Sequence, residues 1–95
     1  ELKSYNNTFY ATKIKTNKFK FIPGFRFSIM TDRIFFSKAG FSKEILIKDM
    51  KYVCLLPSNI IAIILKDGSE FYFKGDGHEN FYLLVDLFNI QTNKN

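Results

Sequence analysis

Tryptophan is absent from this chain, and cysteine and histidine occur once each. A single thiol, Cys54, rules out an internal disulfide, so a reducing, cytoplasmic setting is expected. It lies in the apolar run Val53-Cys54-Leu55-Leu56 and reads as a small buried hydrophobe. With His78 as the lone imidazole, no Cys/His spacing for zinc exists. No glycine-rich phosphate loop precedes a helix. A Cys54–His78 nucleophilic pair would need a reactive thiolate, which a thiol in a core-like run does not supply. Asp67, Glu70, Asp76 and Glu79 stand at turns and at the start of a helix, where carboxylates serve the backbone. No catalytic constellation is left, and neither an enzymatic activity nor a cofactor is expected. Long apolar runs are also missing: the longest aliphatic stretch, Ile60 to Leu65, is far too short to span a bilayer. No signal-peptide pattern opens the chain, and a start at Glu1 suggests a fragment of a larger protein.

What the chain does have is bulk and positive charge. Its 95 residues suit one domain, and 12 Phe and 5 Tyr supply the large side chains that so small a core needs. The charge is uneven. Residues 1–51 carry 11 Lys/Arg against 4 Asp/Glu, and residues 52–95 carry 3 against 5. Such asymmetry invites an anionic partner, phosphate-bearing lipid or nucleic acid. Lys outnumbers Arg 12 to 2 amid plentiful Asn, Ile and Phe, so compositional drift on solvated strand faces is the competing explanation.

Apolar spacing is that of strands up to Lys74 and that of a helix after Glu79. Residues 1–7 are polar and read as a flexible N-terminal segment, with the domain over 8–91 and a tail at 92–95. Strands are expected over Thr8–Lys15, Phe19–Ile22, Phe25–Met30, Ile34–Ser37, Glu44–Lys48 and Tyr52–Leu56, with Pro23-Gly24 as a breaker. Asp67-Gly68 is the strongest hairpin signal, joining Ile60–Lys66 to Ser69–Lys74. A two-residue loop there pairs Ile64 with Phe71 and Ala62 with Phe73 on one face. Ile61, Ile63 and Leu65 then fall on the other face, which needs cover from the helix, a neighbouring strand or a partner. Asp76 and Glu79 can form a capping box for a helix over about 79–91. Phe81, Leu84, Val85 and Phe88 give it an apolar face at i, i+3, i+4 and i+7, widened by Leu83, Leu87 and Ile90. Between Glu79 and Thr92 it carries no Lys or Arg, unlike a helix lying on a membrane.

This order resembles the pleckstrin-homology superfold and, within it, the GRAM domain. The matching stretch runs Gly24-Phe25-Arg26-Phe27-Ser28-Ile29-Met30-Thr31-Asp32-Arg33-Ile34-Phe35-Phe36. It continues through Ile45-Leu46-Ile47-Lys48-Asp49-Met50, the Asp67-Gly68 hairpin and the closing helix. Phe81 or Phe88 would occupy the place where such domains usually carry a helical Trp. The resemblance implies a mainly β fold: a small antiparallel barrel of six to seven strands capped by an amphipathic helix. It also implies a non-catalytic binding module.

Three functional readings follow. Lys13, Lys15, Lys18, Lys20 and Arg26, interleaved with Phe19, Phe21, Phe25 and Phe27, make a cationic rim suited to anionic membrane lipid, a phosphoinositide or another acidic phospholipid. Phe19 or Phe41 at a loop tip would insert. On this reading the module sits at the periphery of a membrane. The blander reading of the same residues is a barrel edge with phenylalanines inward and lysines in water. A protein partner is the alternative, using the sheet or helix edge around Ile61, Ile63 and Leu65. Single-stranded nucleic acid is the least favoured, because the basic residues are lysines and the rings are expected inward.

Overall fold

The computed structural model describes residues 2–75 and 81–93 of the chain. Its strands are β1 (Lys3–Lys15), β2 (Lys18–Ile29), β3 (Arg33–Lys38), β4 (Phe41–Leu46), β5 (Met50–Leu56), β6 (Ile60–Leu65) and β7 (Glu70–Lys74). One α-helix, α1 (Tyr82–Thr92), follows them. All seven strands belong to one antiparallel sheet in the order β4-β3-β2-β1-β7-β6-β5. The mainly β architecture with a C-terminal helix is as the sequence predicts. The sheet does not close into a barrel, because β4 and β5 stand at the two ends of that order.

β1 starts at Lys3, so the segment expected to be flexible is largely strand, held by Lys3 opposite Ile29 and Ser4 opposite Ser28. β2 likewise runs through Pro23-Gly24, expected to break it. The β1–β2 register shifts here, between Thr8/Phe25 and Tyr10/Ile22, which marks a bulge. Gly24 supplies the positive φ of +87° that the bulge requires. Pro23 is tolerated because β2 pairs with β3 only from Arg26 onward, so its missing N–H costs no ladder bond there. The Lys38 ammonium donates to the Pro23 carbonyl at 2.9 Å.

The β6–β7 hairpin differs from expectation by one residue. Gly68 N–H donates to the Leu65 carbonyl at 3.0 Å, and Leu65 N–H donates to the Ser69 carbonyl at 2.8 Å. Lys66-Asp67-Gly68 is therefore a three-residue loop, with Gly68 at φ +92° and the Asp67 carboxylate accepting from Ser69 N–H. Partners become Ile61 with Phe73, Ala62 with Tyr72 and Ile63 with Phe71. A one-residue slip exchanges the faces of a strand. Ile61, Ile63 and Phe73 consequently lie fully buried in the main core, whereas Ala62 and Tyr72 face the outside of the sheet.

β5 shows the same parity effect. A bulge between Met50 and Tyr52 lets Met50 and Val53 both face the core, which turns Cys54 outward, opposite Ala62. Cys54 is exposed, contrary to the buried position its apolar neighbours suggest.

α1 packs on β5 and on the 3-10 turn Ile47–Asp49. Phe81, just before its first residue, holds a left-handed backbone (φ 56°) that bulky side chains seldom adopt. Its ring is fully buried, 5.2 Å from Tyr5 and 5.1 Å from Phe27 between centroids. Leu84 is fully buried as well, but Leu83, Val85, Leu87 and Phe88 are only partly so, and Ile90 is exposed. The capping box expected from Asp76 and Glu79, and His78, lie outside the described residues.

Anchoring is thus concentrated at the start of the helix. Phe81→Ala is expected to cost about 3–5 kcal/mol, as for other fully buried rings, and Phe88→Ala clearly less. Urea denaturation of the two variants, read at constant m-value, checks the ranking. A larger loss for Phe88→Ala would contradict it.

Candidate functional site

β1 and β2 are the two longest strands, and much of their pairing lies beyond the rest of the sheet. β7 pairs with β1 only at Phe9 to Ala11, and β3 pairs with β2 only from Arg26 to Ile29. Thr12–Lys15 and Lys18–Lys20 thus form a two-stranded ribbon with no third strand at either edge. The ribbon ends in Lys13 opposite Phe19, Lys15 opposite Lys18 and Lys20 opposite Thr12. Its turn is closed by Asn17 at φ 62°, a left-handed position that Asn tolerates. All four lysines are exposed, and among the described residues none enters an ion pair. No carboxylate occurs from residue 2 to residue 31, so nothing on β1 or β2 offsets them. Ile14, between Lys13 and Lys15, is 57% exposed.

The other candidates are distributed differently. Arg26 lies six residues beyond Lys20, up to about 20 Å along an extended strand, with Nη1 3.5 Å from the Asn6 side-chain oxygen. It does not join the lysine group. Arg33 is held locally at 2.9 Å from both Asp32 and Glu44, and its hydrogen bond holds the Asp32 carboxyl below the usual carboxylate range. Phe19 is not at a loop tip. Its ring is partly buried 4.9 Å from Tyr72, with Ala11 in the strand between them. Phe41, next to the β3–β4 turn, is 49% exposed while leaning on Phe25 and Phe36. Ile61 and Ile63 are core residues and cannot present a docking face, and Leu65 packs against the same core.

Two features escaped the sequence reading. One is an apolar layer on the outer face of the sheet: Ala11, Ile60, Ala62 and Tyr72, covered in part by Phe19, Leu56 and Ile64. Phe19 and Phe21 belong to this side rather than to the inner core. A groove of about 680 Å³ opens there between the hairpin end and the β5–β6 connection. The other is a cleft of about 300 Å³ lined by Tyr10, Ile22, Phe25, Phe36, Phe41 and Phe71 with Lys43 at its edge. Lys43 and Lys38 each stand 5.7 Å from a ring centroid, over Phe71 and Phe25. The missed signal was strand length: a ribbon longer than its neighbours must project, and only the bulge reading of Pro23-Gly24 makes β2 long.

Among the described residues, no group of three or more His, Cys, Asp or Glu could hold a metal ion, and no helix is long and apolar enough to cross a membrane. Comparison with family models, with curated proteins and with solved structures finds no match to this chain. The GRAM resemblance therefore rests on the quoted residues, and the element order is compatible with a pleckstrin-homology-like fold.

Tyr72 offers a local probe of the outer face. Burial, and then its hydrogen bond to the Glu70 carboxylate, push the phenol up to about 12. Because the folded value exceeds the ordinary one, the associated stability is complete below about pH 10 and is lost as pH rises toward 12. A spectrophotometric titration is expected to show a tyrosinate step approaching pH 12, and Tyr72→Phe should remove that step. A late step that survives the substitution would contradict the packing described.

Proposed function

We propose that this chain is a non-catalytic module that associates peripherally with anionic membrane lipid through the end of the β1–β2 hairpin. The observation that carries the reading is the gathering of Lys13, Lys15, Lys18 and Lys20 on a projecting ribbon without carboxylates, with exposed Ile14 among them. Each Lys near a charged leaflet is worth about 1 kcal/mol, so four raise affinity by about 10³-fold without a stereospecific pocket. Ile14 adds about 1.5–3 kcal/mol if its side chain is fully transferred to the interface. A bulky apolar residue flanked by lysines suits the boundary between acyl chains and headgroups, where long cationic side chains reach back to phosphate.

A protein partner is the second reading, and a specific observation favours it. β5 is an end strand, and Tyr52 to Leu56 carries no charge, with Tyr52, Cys54 and Leu55 exposed. End strands usually carry charges or bulges that discourage pairing, and β5 has both only at its start, around Lys51, so its apolar remainder invites strand addition.

Co-sedimentation with phosphatidylcholine vesicles containing increasing phosphatidylserine separates the two. Binding should rise with the anionic fraction and weaken as salt shortens the Debye length. Lys15→Gln/Lys18→Gln/Lys20→Gln should lose about a hundredfold in affinity with little change in melting temperature. The matched triple Lys48→Gln/Lys51→Gln/Lys66→Gln, in a separate groove beside α1, should lose much less. Unchanged binding by the hairpin triple variant would refute the lipid reading and turn attention to β5.

A further inference from the structure

We propose that the outer-face groove beneath the hairpin end binds a single-chain fatty-acid anion. Its floor is hydrocarbon: Phe19 and Phe21 from β2, Leu56 from the end of β5 and Ile60 from the start of β6. Lys18 and Lys74 stand on its sides, and no carboxylate lines it among the described residues. One wall is fixed by packing: Ala11 lies between the strands bearing Phe19 and Tyr72, so those rings meet across it and hold Phe19 in place beside the groove. The volume of about 680 Å³ falls within the range of about 300–1,000 Å³ typical of small-ligand sites.

Charge and polarity select the occupant. Apart from the lysines, only Asn17 and Ser58 bring polar side chains to the lining, too few to satisfy a sugar or a nucleotide. An acyl chain asks for no hydrogen bonds along its length and for one cation at its head. Lys74 is placed for that task, its ammonium 5.2 Å from the Phe21 ring centroid, at the edge of the apolar floor. The far wall is also unusual. Ser58 holds a left-handed conformation (φ 67°), a strain of the kind that concentrates at ligand sites. This inference stands apart from the membrane reading, although Lys18 serves both.

The test uses monomeric sodium myristate without vesicles, followed by calorimetry and by the carbonyl resonance of ¹³C-carboxyl-labelled myristate. The expected result is saturable binding at one site. Lys74→Gln should weaken it about tenfold, and Phe21→Asp should weaken it further. Lys13→Gln/Lys15→Gln, which reduces vesicle binding on the membrane reading, should leave it within about twofold because neither residue lines the groove. Tetradecanol, with the same chain and no charge, should bind more weakly than myristate. Absence of saturable binding, indifference to both Lys74→Gln and Phe21→Asp, or preference for an acidic peptide over myristate would overturn the proposal. Loss of vesicle binding in the hairpin variants with myristate binding intact would leave it standing, so the two readings fail separately.

Discussion

Gly68 closes the β6–β7 loop with a left-handed backbone, and the register of both strands follows from that one turn. With three residues in the loop, Phe73 faces inward and meets Phe27 and Phe36, each at 4.8 Å between ring centroids. Ile61 and Ile63 join it, and the aromatic core of the domain is complete. A two-residue loop would have put Tyr72 inside and Phe73 outside, burying a phenol that needs a partner. The longer loop leaves that phenol on the outer face, where Glu70 accepts its hydrogen bond.

From the same register comes a sheet that is apolar on both sides. Antiparallel sheets commonly pack one face and solvate the other. Here α1 and the bent sheet itself cover the inner face, while the outer face is only partly covered, by Phe19, Leu56 and Ile64. The β1–β2 ribbon extends past its neighbours and brings Phe19 over this layer. The overhang therefore serves the packing of the outer face, and it also carries the lysines to an exposed position. Fold and candidate function are linked through strand length.

Much of the architecture was legible because it depends on local patterns. Alternation over Phe25–Met30 and the spacing of Phe81 and Leu84 report both the element and its apolar side, whereas the Asp67-Gly68 turn reports the hairpin alone. Parity was not legible. Whether Cys54 or Val53 faces the core depends on one bulged residue near Lys51, and whether Ile63 or Ile64 does so depends on one residue in a loop. Neither leaves a distinctive trace, since the runs Tyr52–Leu56 and Ile60–Leu65 are apolar at nearly every position. The site divided in the same way. The lysines of the hairpin could be grouped by sequence proximity, whereas Lys74 joined the outer groove only through pairing between distant strands. Arg26 was grouped with the lysines by proximity and separated from them by the bulge.

The electrostatic asymmetry of the chain acquires a physical location in this arrangement. Arg33 is neutralised by Asp32 and Glu44, while Lys38 and Lys43 lean over aromatic rings. The lysines at the hairpin end make neither kind of contact among the described residues, which leaves their charge available to a partner. The most direct measurement is residue-resolved: amide resonances of the ¹⁵N-labelled protein recorded as nanodiscs containing phosphatidylserine are added. The account predicts broadening confined to residues around 12–20, strongest near Ile14, with amides of Lys48, Lys51 and α1 little affected. Broadening centred on Tyr52–Leu56, or none at any anionic fraction, would contradict it.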